Sequence, residues 1–289
     1  MRRTYRLPLP NGRELVLGER TLVMGIVNVT PDSFSDGGQR FDTGRAVDAA
    51  LAMEADGADL IDIGGETTRP GATPVETAEE RRRVLPAIEA LAPRLRIPIS
   101  IDTYKAEVAD AALSAGASVV NDVSGLRYEP ALGEVVARRG AALVLMHMRG
   151  RSADMYRHAT YEDAIEDVSR ELREAMGRAT AAGVPTESLI LDPGLGFAKR
   201  AEHSWRLLAN LDAPPLAGLA RPWLVGPSRK SFLTAAIGDL PPQERDWATV
   251  SAVTAAVLAG AHIVRVHRVA EMVQAARVAD AVLAHRATG

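Results

Sequence analysis

Cysteine is absent from the 289 residues, which excludes disulfides, thiolate nucleophiles and cysteine-type zinc sites. Excess positive charge is absent too: the formal net charge is -3 and the pI is near 6.1. Phosphate backbones call for a basic face, so nucleic acid is not an expected partner, although a local cationic pocket stays open. No run approaches the roughly 18 consecutive apolar residues that span a bilayer. The opening segment MRRTYRLPLPNGRELVLG holds no apolar stretch of signal length. A cytoplasmic protein with no membrane partner is therefore expected. Further chemical signatures are missing. No glycine-rich dinucleotide fingerprint follows the first strand-like run, no His-carboxylate cluster stands at metal-ligand spacing, and no nucleophile triad is visible. Low-complexity segments and long linkers are absent, and one domain over residues 1–289 is expected.

What the chain does have is a 47% hydrophobic composition organised as a weak repeat. Gly-Ala pairs at Gly57-Ala58, Gly116-Ala117, Gly140-Ala141 and Gly260-Ala261 each precede a β-like run: DLIDIGGE, SVVNDVSG, ALVLMHM and HIVRVHRV. Glycine after a helix accepts the left-handed conformation that ends it, and the apolar run that follows suits a parallel strand buried on both faces. Leu22–Asn28, Ile97–Asp102, Leu189–Asp192 and Pro222–Gly226 complete eight strand candidates. Helical patterns lie between them at Thr43–Ala55, Pro74–Leu91, Lys105–Ala115, Ala131–Arg138, Tyr161–Ala182, Ser204–Leu211, Lys230–Ala236, Ala248–Leu258 and Ala270–His285. Thr73-Pro74-Val75-Glu76 has the form of a capping box for the second of these, with proline at the first helical position. This alternation predicts an α/β fold, a (β/α)8 TIM barrel, with a doubly wound sheet as the runner-up. Ahead of it, Tyr5–Leu9 and Glu14–Leu17 alternate around Asn11-Gly12, a two-residue hairpin signal. A hairpin lying across the barrel bottom is expected.

Barrel chemistry gathers at the C-terminal ends of the strands. In order, those ends carry Asn28; Asp62 with Glu66; Asp102; Asn121 with Asp122; His147; Asp192; Ser228-Arg229-Lys230; and Arg265 with His267. Taken singly, Asp122 reads as a helix cap and His147 equally as a structural hydrogen bond. Taken together, Asp102, Asn121, Asp192 and Lys230 could read the edge of a flat, nitrogen-rich heterocycle. Asn28, Arg265 and His267, from first and last strands that neighbour each other in a closed barrel, suit a diphosphate. A magnesium ion held mainly by substrate phosphates would leave no stronger signature. Thr30–Gly38 and Thr67–Thr73, polar and rich in glycine or proline, read as lids over this end.

In the order MGIVNVTPDSFSDGG, DIGGETTRPGA, SIDT, VNDVSG, LMHM, LDPGLGF, GPSRKSF and RVH, the chain from Met24 to His267 resembles the dihydropteroate synthases. The resemblance implies a pterin-binding TIM barrel that joins hydroxymethyl-dihydropterin pyrophosphate to p-aminobenzoate and releases pyrophosphate, a step of folate biosynthesis and the target of sulfonamides. It implies that Asp102, Asn121, Asp192 and Lys230 hold the pterin and carry catalysis, between Met146 and Phe197 as apolar walls. Asn28, Arg265 and His267 would hold pyrophosphate, with Asn28 also on Mg2+. Thr68 and Arg69 would reach the substrates from the second loop. Phe34, Pro70, Lys230 and Ser231 would frame the p-aminobenzoate pocket, and Asp36 would complete the closed state. A homodimer through late barrel helices is implied as well. Two departures from the family pattern stand out: Thr67 replaces a common Ser, and Arg268 replaces a common Asp after the last His. The alternatives carried are a pterin-binding methyltransferase domain and a non-catalytic pterin-binding paralogue.

Overall fold

The computed structural model describes residues 2–30, 39–69 and 71–285. Strands β1 (Tyr5–Pro8) and β2 (Glu14–Leu17) pair antiparallel as a separate hairpin. The remaining strands are β3 (Leu22–Asn28), β4 (Leu60–Gly64), β5 (Ile99–Asp102), β6 (Val119–Asp122), β7 (Ala142–Met146), β8 (Leu189–Asp192), β9 (Leu224–Val225) and β10 (Ile263–Val266). They form one parallel eight-stranded sheet in the order β8-β7-β6-β5-β4-β3-β10-β9. A parallel bridge between Leu191 and Trp223 joins its two edges, so the sheet closes into a (β/α)8 barrel. The doubly wound alternative is thereby excluded, since its sheet would stay open.

The helices are α1 (Gln39–Ala55), α2 (Thr77–Leu91), α3 (Ala106–Ser114), α4 (Ala131–Arg139), α5 (Ala164–Ala181), α6 (Ala201–Ala209), α7 (Pro214–Ala217), α8 (Thr234–Ile237), α9 (Asp246–Leu258) and α10 (Val269–Ala284). The Gly-Ala pairs do what the sequence reading expects of them. Gly57, Gly116, Gly140 and Gly260 all take positive φ, between 63° and 119°. The alanines that follow donate their N–H groups five residues back, to Met53, Ala112, Val136 and Ala256. This double closure caps the carbonyl end of the helix and turns the chain into the next strand.

Some local expectations give way. The hairpin connection is longer than two residues: Tyr5 faces Leu17 and Pro8 faces Glu14, with a 3-10 turn at Pro10–Gly12 between them. Asn11 and Gly12 still take the positive φ that their types favour. The capping box does not form. α2 begins at Thr77 with Glu76 as an uncapped N-cap, and the Val75 N–H before it is held by the Glu66 carboxylate at 2.9 Å. The helix expected over Lys230–Ala236 divides into a 3-10 turn, Ser231–Leu233, and the short α8.

Strand alternation positions everything else. Val23, Ile61, Ile101, Val120, Leu143, Leu191, Val225 and Val264 point outward into the main core beneath the helices. Their neighbours point inward: Leu22, Met24, Leu60, Val119, Ala142, Val144, Ile190, Leu224 and Ile263 fill the lower lumen. Leu7, Leu9, Leu15 and Leu17 of the hairpin belong to that same cluster. The hairpin therefore seals the N-terminal mouth with leucine, as expected.

Candidate active site

Further along most strands the inward positions turn polar, at Asn28, Asp62, Asp102, Asn121, Asp192 and Arg265. Asn28 lies opposite Gly64, Gly64 opposite Asp102, and Asp102 opposite Asn121. On the next pair of strands Met146 lies opposite Asp192. Register alone thus sets these groups side by side at the C-terminal mouth. Gly64 keeps the passage between its neighbours open, since a methyl group there would meet the Asp102 side chain at 3.4 Å and Asn28 Oδ1 at 3.8 Å.

One cation ties several of these tips together. Arg265 donates from Nε to Asp62 Oδ2 at 2.6 Å and from Nη2 to Asp102 Oδ2 at 2.7 Å. Asn121 Nδ2 donates to the same Asp62 oxygen at 3.0 Å. Arg265 therefore belongs to both halves of the expected site and not to the diphosphate half alone. Burial pushes the Asp102 carboxyl up to about 7; the Arg265 cation pulls it down, and the Asp62 charge pushes it up again. Asp192 is also raised by burial, although Lys230 and the Gly194 N–H, which donates to Oδ1 at 2.7 Å, favour its anion. Burial lowers Lys230 to about 8 against the pull of Asp192. Its Nζ donates to the Leu195 carbonyl at 2.7 Å and sits 4.1 Å from the centre of the Phe197 ring.

His267 is lowered to about 3 by burial and by the cations Arg229 and Arg265, so at neutral pH it is an uncharged hydrogen-bonding group. Its Nδ1 is 2.9 Å from Ser228 Oγ. Met146 is buried with Val123, Met148, Met155 and Ala198, and Phe197 packs on that cluster as a wall. Thr68 is half-buried and Arg69 exposed in the loop after β4. The ends of that loop are fixed. Lys105 Nζ donates to Glu66 Oε2 at 2.7 Å and to the Val75 carbonyl at 2.6 Å, and also pairs with Glu80. Ser231 is exposed, with Oγ 3.4 Å from Tyr156 Oη. Phe34, Asp36 and Pro70 lie outside the described residues.

The two residues with structural readings have structural partners. Asp122 accepts the Ser124 and Leu126 N–H groups at 2.8 and 2.6 Å. His147 is buried between Glu171 and Lys199, at 3.2 and 2.8 Å. Arg268 pairs with Glu271 at the surface, and so does not disturb His267. Asp62 and Ser228 stand at strand ends in the sequence without a local mark of their role; the signal for Asp62 is its inward parity with Leu60 in DLIDIG. Among the described residues no group of three His, Cys, Asp or Glu side chains could hold a metal ion.

A profile of the pterin binding enzyme family matches residues 24–267. A dihydropteroate synthase of Synechocystis sp. is 48% identical over 275 residues, covering 95% of this chain and 94% of that one. Among solved structures, a Xanthomonas albilineans dihydropteroate synthase with 4-aminobenzoic acid superposes with a TM-score of 0.88 at 45% identity, covering 96% of this chain and 99% of that one. The Yersinia pestis dihydropteroate synthase in a sulfonamide drug complex gives a TM-score of 0.88 at 42% identity, with the same coverage of 96% and 99%.

Proposed function

Because this chain belongs to the dihydropteroate synthase family of pterin-binding enzymes, we propose a specific division of labour among the residues at its barrel mouth. The enzyme is a transferase of folate biosynthesis. It condenses 6-hydroxymethyl-7,8-dihydropterin pyrophosphate with p-aminobenzoate to give 7,8-dihydropteroate and pyrophosphate. In our reading the whole chain is one pterin-binding barrel domain. Asp102, Asn121 and Asp192 engage the donor edges of the pterin, Lys230 meets its carbonyl, and Met146 and Phe197 cover its faces. Arg265, His267 and Asn28 take the diphosphate. Phe34, Pro70, Lys230 and Ser231 frame the p-aminobenzoate pocket, Thr68 and Arg69 reach the substrates from the second loop, and Asp36 completes the closed state.

The substitution at the pterin methylene is dissociative in this reading. The carbon–oxygen bond breaks first, its electron pair leaves with pyrophosphate, and positive charge develops on the pterin. The nitrogen lone pair of p-aminobenzoate then forms the new bond and a proton leaves that nitrogen. The charge balance of the site supports this order. Three carboxylates, Asp62, Asp102 and Asp192, face two cations, Arg265 and Lys230. A preorganised surplus of negative charge favours a developing cation, and a single well-placed group of this kind is worth roughly 3 kcal/mol.

The same balance tests the expected Mg2+. The Arg265 guanidinium is already paired with Asp62 and Asp102, so a divalent counter-cation on the diphosphate fits. Asn28 would supply one oxygen and the diphosphate the others. When bound, the ion neutralises charge on the departing pyrophosphate. A cytoplasmic homodimer belongs to the same proposal. Its support is apolar surface on the late helices: Trp247 of α9 is 82% exposed and Val278 and Val282 of α10 are 65% and 50% exposed. Sulfonamides, which the Yersinia pestis relative binds, are expected to compete with p-aminobenzoate. With Arg268 turned into a surface ion pair, the non-catalytic alternative loses its one motivation.

The pairing of Asp102 with Asn121 and of Met146 with Asp192, at the C-terminal ends of four adjacent strands, carries this reading most directly. It is tested by incubating the purified protein with the pterin pyrophosphate, p-aminobenzoate and Mg2+. Pyrophosphate and 7,8-dihydropteroate should appear in equal amounts. Methyl transfer from a methylated reduced folate, with no pyrophosphate release, would replace it with the methyltransferase reading.

A further inference from the structure

Asp62 has no solvent exposure, yet it carries a carboxylate with one satisfied oxygen and one orphan. Oδ2 accepts from both Arg265 Nε and Asn121 Nδ2, at 2.6 and 3.0 Å. Oδ1 has no hydrogen-bond partner among the described residues, nor has Ser100 Oγ, the side chain of the residue paired with Asp62 across β4 and β5. A buried anion with half its lone pairs unused costs stability relative to a neutral side chain of the same shape. What compensates an acid at this position is its ion pair with Arg265, and both groups it holds belong to the site.

We propose that Asp62 is a positioning residue of the reaction, a buried clamp that fixes the Arg265 guanidinium and the Asn121 carboxamide in the orientations that substrate requires. The proposal rests on the dihydropteroate synthase reading. Asn121 could present either end of its amide to a ligand. The Asp62 carboxylate accepts only N–H, so the Asn121 amide must turn its NH2 inward and present its carbonyl oxygen to the ligand. That oxygen suits the amino and ring N–H donors of a pterin. Arg265 is held at Nε by Asp62 and at Nη2 by Asp102, which fixes the plane of the guanidinium. Nη1 is engaged by neither carboxylate and stays available to the diphosphate of the proposed reading. Asp62 itself lies one inward position below the tips, opposite Ile26 and Ser100, and so acts only through its two partners.

The test uses Asp62→Asn, which keeps the shape, and Asp62→Ala, which removes the clamp, each also combined with Asn121→Ala. Thermal melts accompany steady-state kinetics with both substrates. Asp62→Ala is expected to remain folded and lose at least 100-fold in kcat/KM for the pterin pyrophosphate. Asp62→Asn should stay folded, since its carbonyl can still accept from both partners, and lose about tenfold. In the Asn121→Ala background the Asp62→Ala loss should shrink several-fold, because the clamp then has one partner fewer. Parental kinetics in folded Asp62→Ala would overturn the proposal. So would a loss that simply tracks a fall in melting temperature, or full additivity with Asn121→Ala. If the parent protein itself made no dihydropteroate, the functional reading would fail instead, and the two failures are told apart within one assay.

Discussion

Replacing Asp102 by Asn should make this protein more stable and less active at once. The substitution keeps shape and leaves Arg265 an oxygen to donate to, while Asp62 still pairs with the guanidinium. What it removes is a charge that burial opposes. The Asp102 carboxyl rises from an ordinary 3.8 to about 7, about three pH units, or up to about 4 kcal/mol at 1.36 kcal/mol per unit. The sign follows from proton binding. Between about pH 4 and 7 the folded state holds a proton that the unfolded state has lost, so stability falls as pH rises, and the full penalty stands above pH 7. Asn escapes it. With an unfolding entropy of about 0.6 kcal/mol per degree for a chain of this length, a gain of about 1–4 kcal/mol raises the melting temperature by about 2–7 °C at pH 8. Below pH 4 the gain should vanish. Activity moves the other way. The anion is the form that stabilises a developing cation, so kcat should fall about 100-fold with little change in KM for the pterin pyrophosphate. In the parent, kcat/KM should fall as pH drops below about 7, and this limb should be missing in the variant. Scanning calorimetry at pH 8 and pH 4, beside rate profiles, checks both. A variant no more stable than the parent at pH 8, or one with parental kcat, refutes the reasoning.

Lys230→Ala should abolish measurable turnover, and the parent should lose kcat/KM above about pH 8 as this buried ammonium deprotonates; parental turnover in the variant would remove Lys230 from the pocket. Arg265→Ala should weaken product inhibition by pyrophosphate at least tenfold, read from the inhibition constant against the pterin substrate. Leu17→Ala, at a fully buried hairpin position, should cost about 2–5 kcal/mol in denaturant unfolding while leaving both KM values alone. Arg268→Asp should leave kcat/KM within about twofold, since the arginine faces solvent beside Glu271.

Much of this architecture was legible because it rests on local rules. Each Gly-Ala pair ends a helix through glycine's tolerance of positive φ and buries the alanine, so four of the helix-to-strand joins could be read directly. The inward polar positions were legible for the same reason: parity along a strand fixes which face a side chain takes. Long-range partnership was not legible. Arg265 read as a phosphate ligand by type, yet its nearest anions come from strands more than 160 residues away in sequence. Thr73-Pro74 read as a helix start, but the Glu66 carboxylate, outside that motif, holds the Val75 N–H and the helix starts only at Thr77. Lys199, fully buried against His147 and the Phe197 carbonyl, carries no local signal of burial at all.

The leucine floor laid down by the first two strands turns the cylinder into a vessel with a single opening. In the proposed reading the bicyclic ring sits nearer that floor than the aniline does, so the ring would be seated first and the joined product would back out through the same doorway. A sequence of arrivals would then be a property of the floor as much as of the catalytic groups above it.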